Sequence, residues 1–294
     1  MYEKLNECPV CSASNLKNHK VVKDHSVSQE SFNIMLCDNC SFQFTNPRPN
    51  EEEISKYYQS EDYISHSDKA NSPINFIYKL ARKYALSSKK KIINSIVKDK
   101  KGRILDYGCG TGYFLETMKQ NGWKTYGIEP NDTARKIAST KSEVQKNIEE
   151  LKLKNKKFDV ITLWHVLEHI HNINQTIKIL KTILKEKGKI IIAVPNIESY
   201  EQGIFQEDWA AYDVPRHLYH FSQDTMNTLM LKHGLKIKKV YPMKLDAYYI
   251  SLLSNKYKYK KNNLIKSFLT GYKSNSYAVK NKDNYSSLIY IIKK

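Results

Sequence analysis

No stretch of the chain approaches the roughly 18 consecutive apolar residues that a membrane-crossing helix needs. The longest apolar runs, such as Ile190–Val194, are only strand-length, so no transmembrane span is expected. The opening Met1-Tyr2-Glu3-Lys4-Leu5 has no apolar stretch leading to a small-residue cleavage site, and no secretion signal is expected. Cysteine is scarce, with five residues, four of them in two tight pairs. That spacing does not suit an extracellular disulfide framework and points to a reduced, cytoplasmic chain. No internal repeat is visible. Acids are in short supply: 30 Asp and Glu stand against 48 Lys and Arg, leaving a net charge of +18. Such an excess suits polyanionic partners, such as nucleic acid, nucleotide-linked substrates or anionic lipid surfaces. Lysine-rich composition also arises with no anionic ligand at all. With 40% hydrophobic and 27% charged residues, a packed core is feasible and wholesale disorder is not expected. A length of 294 residues leaves room for one large domain plus a small one.

Three segments are expected: 1–48, 49–98 and 99–294. The first holds the two cysteine pairs and closes at the breaker Asn46-Pro47-Arg48-Pro49. In the second, Glu51–Tyr58 reads as a helix opening on acids, and Ser60–Ser72 as a polar loop. From Pro73 onward, Ile74, Ile77, Tyr78, Ala81, Ala85 and Leu86 recur at helical spacing. After Gly102 the rhythm changes. Strands are expected at Arg103–Tyr107, Lys124–Ile128, Phe158–Trp164, Lys189–Val194, Leu235–Tyr241 and Ser287–Ile292. Helices fall between the earlier ones, at Tyr113–Asn121, Asn131–Ser139 and Ile173–Leu184. This alternation describes βαβ units, hence an α/β fold with a mostly parallel sheet covered on both faces. The last segment, Lys256–Lys294, carries ten Lys and one acid, Asp283.

Cys8-Pro9-Val10-Cys11 and Cys37-Asp38-Asn39-Cys40 form two CxxC knuckles with 25 residues between them. Zinc takes four tetrahedral ligands, and two knuckles supply four thiolates. Four thiolates leave no open position for a catalytic water, so a structural Zn2+ in a zinc-ribbon unit is expected. A 48-residue unit can scarcely build its own core, and metal would supply much of its folding energy. The competing reading is a redox dithiol, for which one CxxC in a thioredoxin-like setting suffices.

Leu105-Asp106-Tyr107-Gly108-Cys109-Gly110-Thr111-Gly112 follows a strand and opens a helix. Its glycines allow a sharp turn and close approach of a ligand to the main chain. Nicotinamide and flavin enzymes use related loops. Here Asp106 precedes the first glycine, and Glu129 ends the next strand, placed to accept hydrogen bonds from two ribose hydroxyls. The third glycine leads into a helix N-terminus suited to a carboxylate. Cys109 reads as a small loop residue.

On LDYGCGTG, YGIEPN, FDVITLWHVLEHI and GKIIIAVPN, residues 100–294 resemble the class I S-adenosylmethionine-dependent methyltransferases. The resemblance implies a Rossmann-like, seven-stranded, mostly parallel sheet with helices on both faces, preceded here by the small zinc-ribbon unit. It implies that Gly108, Gly110 and Gly112 cradle the methionine part of the donor and that Glu129 holds the ribose, with Asp106 in the same loop. It puts Asn147 near the adenine amino group and Trp164 and His165 beside the sulfonium. Joined to a four-cysteine segment, the chain is similar to bacterial methyltransferases of sugar and polysaccharide pathways. These include sugar C-methyltransferases whose E-H-x-S-Y-F-S stretch carries a catalytic histidine. Aligned on Phe221-Ser222, that histidine falls on His217. Arg216 replaces the glutamate and Tyr219-His220 the Ser-Tyr pair, so carbon and oxygen acceptors both stay open.

Transfer from a sulfonium needs alignment, exclusion of water and often a general base. Two clusters beyond strand ends offer one. Trp164-His165-Val166-Leu167-Glu168-His169 follows the fourth strand, with Glu168 and His169 expected to begin a helix and, in the alternative, to cap and pack it. Residues 209–222 follow the fifth, where Trp209, Tyr212, Arg216 and Tyr219 suit a ring-, sugar- or phosphate-bearing acceptor, with His217, His165 and His220 as candidate catalytic groups. The alternative is an aromatic mini-core, with Ser222 capping the helix that starts at Gln223. The leading expectation is therefore a methyltransferase acting on a small, anionic acceptor, such as a nucleotide-linked sugar or glycan precursor. Against it stand an RNA methyltransferase, favoured by net charge but lacking an N/D-P-P-Y/F motif, and a non-catalytic zinc-ribbon adaptor with a vestigial donor site.

Overall fold

The computed structural model describes residues 1–58, 73–97, 101–151, 157–261 and 263–294. The loop expected over Ser60–Ser72 lies outside them. Strands β1 (Tyr2–Glu3), β2 (Leu16–Lys23), β3 (Ser31–Cys37), β4 (Gln43–Thr45) and β5 (Arg48–Pro49) come first. Helix α1 (Pro73–Ile96) is followed by β6 (Arg103–Tyr107), α2 (Tyr113–Gln120), β7 (Lys124–Ile128), α3 (Asp132–Ser139), β8 (Glu143–Gln145) and β9 (Phe158–Trp164). Then come α4 (Ile173–Ile183), β10 (Leu184–Pro195), α5 (Tyr200–Phe205), β11 (Tyr219–His220), α6 (Gln223–Lys232) and β12 (Lys236–Pro242). The chain closes with α7 (Asp246–Tyr259), α8 (Leu264–Lys280) and β13 (Ser287–Lys293).

Seven strands form one sheet in the order β12-β13-β10-β9-β6-β7-β8. The β6–β7, β6–β9 and β7–β8 pairs are parallel, and β12 runs antiparallel to β13. This is the mostly parallel α/β architecture that the strand–helix rhythm predicts, in the Rossmann-like form that the resemblance implies. Its central strands read as unbroken apolar runs because both faces are covered: Ile190 to Val194 are all buried, as are Val160, Ile161 and Leu163. Strand β8 is an addition to the sequence reading. Only Val144 of its three residues is buried, too little to register as alternation. The helix expected at Glu51–Tyr58 is a short 3-10 helix over Ile54–Tyr58. Glu168 and His169 sit in a separate 3-10 turn, Leu167–His169, ahead of α4 and not at its start.

By internal contacts the chain divides into two compact units. One comprises Met1–Ile64, His165–Ile179 and Ile192–Lys294, the other Ser65–Trp164 and Leu180–Ile191. This boundary runs elsewhere than residues 48 and 98. In the first unit, β4 pairs with β11, placing Phe44 opposite Tyr219 and Gln43 opposite His220, within a four-stranded sheet ordered β11-β4-β3-β2. Val22, Phe32 and Ile34 share a core with Phe205, Trp209, Tyr212 and Val214. The cysteine-bearing segment thus borrows its hydrophobic core from residues roughly 180 positions downstream, as a segment too short to enclose one must.

Side-chain caps close helix N-termini, one of them at Ser222 as the sequence suggests. Asn131 Oδ1 accepts from Ala134 N at the start of α3. Ser222 and Thr225 form a reciprocal capping box at the start of α6, and both are buried. Ser222→Ala should cost about 1 kcal/mol of stability, read as a lowered denaturation midpoint with unchanged far-ultraviolet circular dichroism.

Candidate functional site

The second unit carries the glycine loop. Gly108, Gly110 and Gly112 have φ of 75°, 53° and 79°, left-handed values that a side chain resists. A β-carbon at Gly112 would stand 3.0 Å from Ala138 Cα, while one at Gly110 would meet nothing within 4 Å. At Gly110 the main chain therefore faces open space, the room a ligand requires. The N–H groups of Gly108 and Cys109 both donate to Ile128 O, at 2.8 and 2.9 Å, tying the loop to the end of β7. Glu129 completes the tie: Oε2 accepts from Gly110 N at 2.8 Å and Oε1 from Asn131 N at 2.9 Å. Burial raises the Glu129 carboxyl above its usual range, and these two N–H donors oppose the rise. Asp106 is buried under the loop. Burial pushes its carboxyl up to about 7, against the hydrogen bond from Thr162 Oγ1 to Oδ1 at 2.6 Å.

Trp164, at the end of β9, packs edge-on against Phe114 with ring centroids 5.6 Å apart and lies under the Lys89 ammonium, 4.5 Å from the ring centre. Asn147 is engaged locally: Oδ1 accepts from Glu150 N at 3.0 Å and Nδ2 donates to Glu150 Oε1 at 3.1 Å, capping a short turn.

The three histidines expected to do chemistry all lie in the first unit and differ sharply. His165 adopts φ 56° and donates its N–H to Ala193 O. Its ring is held between two acids, with Nδ1 3.3 Å from Glu168 Oε1 and Nε2 3.2 Å from Asp246 Oδ2. Burial works against the cation, but Asp246 and Glu168 outweigh it and raise the pKa to about 10. A histidine held as a cation is no proton acceptor at neutral pH, which removes His165 as a base. His220 is buried, and burial with the nearby His217 and Lys20 charges lowers its pKa well below the usual value. Thr45 spends its hydroxyl proton on His217 O at 2.8 Å, so in the 3.3 Å contact His220 Nε2–H is the donor. His220 is thus a neutral, structural donor.

His217 is different. Nδ1 lies 2.8 Å from Ala211 O, a contact that needs the proton on Nδ1 and leaves the lone pair on Nε2. The His169 ring crosses it at 4.6 Å and 74°. His169 Nδ1 likewise meets a carbonyl, Arg216 O, at 2.9 Å. Burial and the neighbouring His217 lower its pKa to about 4. Glu168 is fully buried; its Oε1 faces the His165 ring at 3.3 Å, and its Oε2 has no hydrogen-bond donor among the described residues. One ligand-type atom from each of Glu168, His169 and His217 lies within 4.8 Å of the others, a set that could also hold a metal ion.

The aromatic stretch packs as the mini-core alternative describes. Trp209 and Tyr212 are buried in the core shared with β2 and β3. Tyr219 is buried and donates its hydroxyl to His171 O at 2.6 Å. Arg216 is consumed internally: Nε and Nη2 bind Asp213, Nη1 donates to Tyr57 O at 2.8 Å, and Nη2 also reaches Asp24 and Ser26. With its donors spent on the chain, Arg216 is a structural clamp and offers no fork to an incoming phosphate.

Residues 77–240 match the family model described as a methyltransferase domain, more than half of the chain. The chain belongs to this family. The methyltransferase domain leaves outside the match the cysteine pairs and everything beyond β12. Similar proteins include the ubiquinone biosynthesis O-methyltransferases of Paraburkholderia phymatum, 27% identical over 41% of this chain and 57% of that protein, and Rickettsia canadensis, 27% over 47% and 64%. The chain thus spans less than two thirds of the length of these relatives. The fold is that of magnesium protoporphyrin IX methyltransferase from Synechocystis, solved with bound SAH, at TM-score 0.53 and 12% identity over 82% of this chain and 98% of that one. It is also that of a plantazolicin methyltransferase in complex with an analogue and SAH, at TM-score 0.51 and 17% identity over 82% and 94%. None of the relatives named here is a sugar or polysaccharide enzyme, so these matches lend no support to the expected sugar-pathway kinship.

Ahead of the methyltransferase domain, the two cysteine knuckles are built alike. Ser12 N bonds to Cys8 O and Ser41 N to Cys37 O, each at 2.8 Å, and both serines have φ near 60°. Cys8 and Cys40 sulfurs are 3.6 Å apart, and Cys11 and Cys37 sulfurs 3.5 Å. A tetrahedron with metal–sulfur bonds of about 2.3 Å has an edge of about 3.8 Å, so the four thiols fit a zinc ion. Metal analysis should find tightly bound zinc at one per chain, lost in Cys37→Ser; a metal-free, fully folded chain would contradict the four-thiolate site. A second outcome concerns His165. Because its pKa is raised, its ion pairs stabilise the fold fully below the ordinary histidine value, and that contribution is lost as pH climbs through about 10. The melting-temperature gap between the natural chain and His165→Gln should narrow from pH 7 to 10; a constant gap would exclude the pairing.

Proposed function

We propose that the chain transfers a methyl group from S-adenosylmethionine to a hydroxyl of a small-molecule acceptor. The observation that carries this is the loop of three left-handed glycines anchored to Glu129, with open space in front of Gly110. Gly108, Gly110 and Gly112 would hold the amino-acid end of the donor. The remaining lone pairs of Glu129 would receive the ribose hydroxyls, its position being set beforehand by Gly110 and Asn131 N–H groups. The bound donor supplies an already activated methyl on a positively charged sulfur. The chain's own work is then to bind, orient, exclude water and take up a proton.

The O-methyltransferases among its relatives support an oxygen acceptor. For the proton, His217 is the chosen acceptor. Donation of Nδ1–H to Ala211 O fixes the tautomer, Nε2 carries the lone pair, and the buried Glu168 carboxylate nearby stabilises the cation that forms. His169 lines the same cluster as a neutral ring. A nucleotide-linked sugar or glycan precursor is the acceptor class we favour. Its support is the resemblance and the +18 charge, since Arg216 is not available to it.

Two measurements test this. Gly110→Arg fills the open space and should abolish S-adenosylmethionine binding by calorimetry without loss of bound zinc; unchanged affinity would remove the loop assignment. His217→Ala should lower turnover on an active acceptor by roughly 100-fold or more, with donor affinity within about twofold; full activity would remove His217 as the base.

A further inference from the structure

Helices α7 and α8 are built inside out. The buried residues of α8 are Ser267, Gly271, Ser274 and Ala278, and those of α7 are Ala247, Ser251, Ser254 and Asn255. The seam is small and polar: Asn255 Nδ2 donates to Ser267 Oγ at 3.0 Å, and Ser274 donates to Glu201. At Gly271 the helices approach so closely that a β-carbon would lie 2.9 Å from Tyr248 Cα. The large apolar residues point the other way. Leu264, Ile265, Phe268, Leu269, Tyr272 and Val279 are each at least half exposed, Ile265 at 75%. At about 100° per residue these six fall within an arc of about 140°, and Lys266, Lys273 and Lys280 run along its edge within about 60°. All three lysines are exposed. Between Asp246 and Asp283 the chain carries eight lysines and no other acid.

We propose that this outer face of α8 docks on the surface of an anionic lipid bilayer. Small residues in the seam with large apolar residues outside is the arrangement helices adopt when their surroundings are apolar. Every charged residue of α8 is a lysine, as suits helices that lie in the plane of an anionic membrane surface. No helix among the described residues is long and apolar enough to cross a membrane, so the contact is superficial. Charge decides among occupants. A second copy of the chain would press a lysine-rich face against an identical one. Nucleic acid would satisfy the lysines but leave Phe268, Ile265 and Leu264 in water. An anionic bilayer meets both needs, since lysines near such a surface each add to binding and the apolar arc enters the acyl boundary. This inference is independent of the methyl-transfer reading.

Flotation of the full chain with vesicles tests it. Binding to phosphatidylcholine vesicles containing phosphatidylglycerol should exceed binding to phosphatidylcholine alone by at least about 10-fold. The exposed double substitution Ile265→Glu with Phe268→Glu should lower that binding by a similar factor while circular dichroism and donor affinity stay unchanged. Lys266→Gln, Lys273→Gln and Lys280→Gln together should remove the preference for phosphatidylglycerol. Absence of binding to the anionic vesicles, or binding indifferent to the Glu pair, would overturn the proposal. So would a dimer in sedimentation that the Glu pair dissociates, or retention on bulk RNA but not on vesicles.

Discussion

The whole glycine loop depends on one carboxylate. Glu129 sits at the carboxyl end of β7, and its two oxygens reach Gly110 N in the neighbouring loop and Asn131 N in its own turn. Backbone N–H groups buried without partners would cost free energy. Glu129 satisfies two of them and converts a left-handed glycine turn, which is entropically expensive to hold, into a fixed cradle. The cost of burying the acid is visible in its raised pKa. In parallel sheets the ends of adjacent strands are where ligands collect, and this acid is part of that edge.

Much of this could be read from residues alone. The parallel sheet was legible because buried strands are written as continuous Val/Ile runs, as in Ile190–Val194, and because glycines and helical spacing separate them. The glycine loop and the cysteine pairs were legible because backbone geometry and metal coordination both demand fixed residue types at fixed spacing. The cap at Ser222 followed from the same logic of unsatisfied helix N–H groups.

What was not legible depended on who meets whom. Arg216 looked like a phosphate fork, yet Asp24, 192 positions away, and the carbonyl of Tyr57 claim it. Trp209 and Tyr212 looked like pocket walls, and β2 and β3 cover them. His165 looked like a base until Asp246, remote in sequence, appeared beside it. Residue type states what a side chain can do, while protonation and availability are set by partners that local sequence does not name. Helices α7 and α8 escaped for another reason. Their core-facing residues are Ser, Asn, Gly and Ala, so the usual apolar stripe marks the wrong face.

The pairing of β4 with β11 has a further consequence. Thr45, eight residues from Cys37, donates its hydroxyl to the carbonyl of His217, and its N–H bonds to Leu218 O. The thiol cluster and the imidazole proposed to accept the proton therefore share a short mechanical linkage. If His217 is that acceptor, a chelator or thiol oxidant that loosened the knuckles would slow turnover without meeting either reactant. In an assay it would pass for an active-site poison, distinguished by a gradual onset that extra acceptor does not relieve.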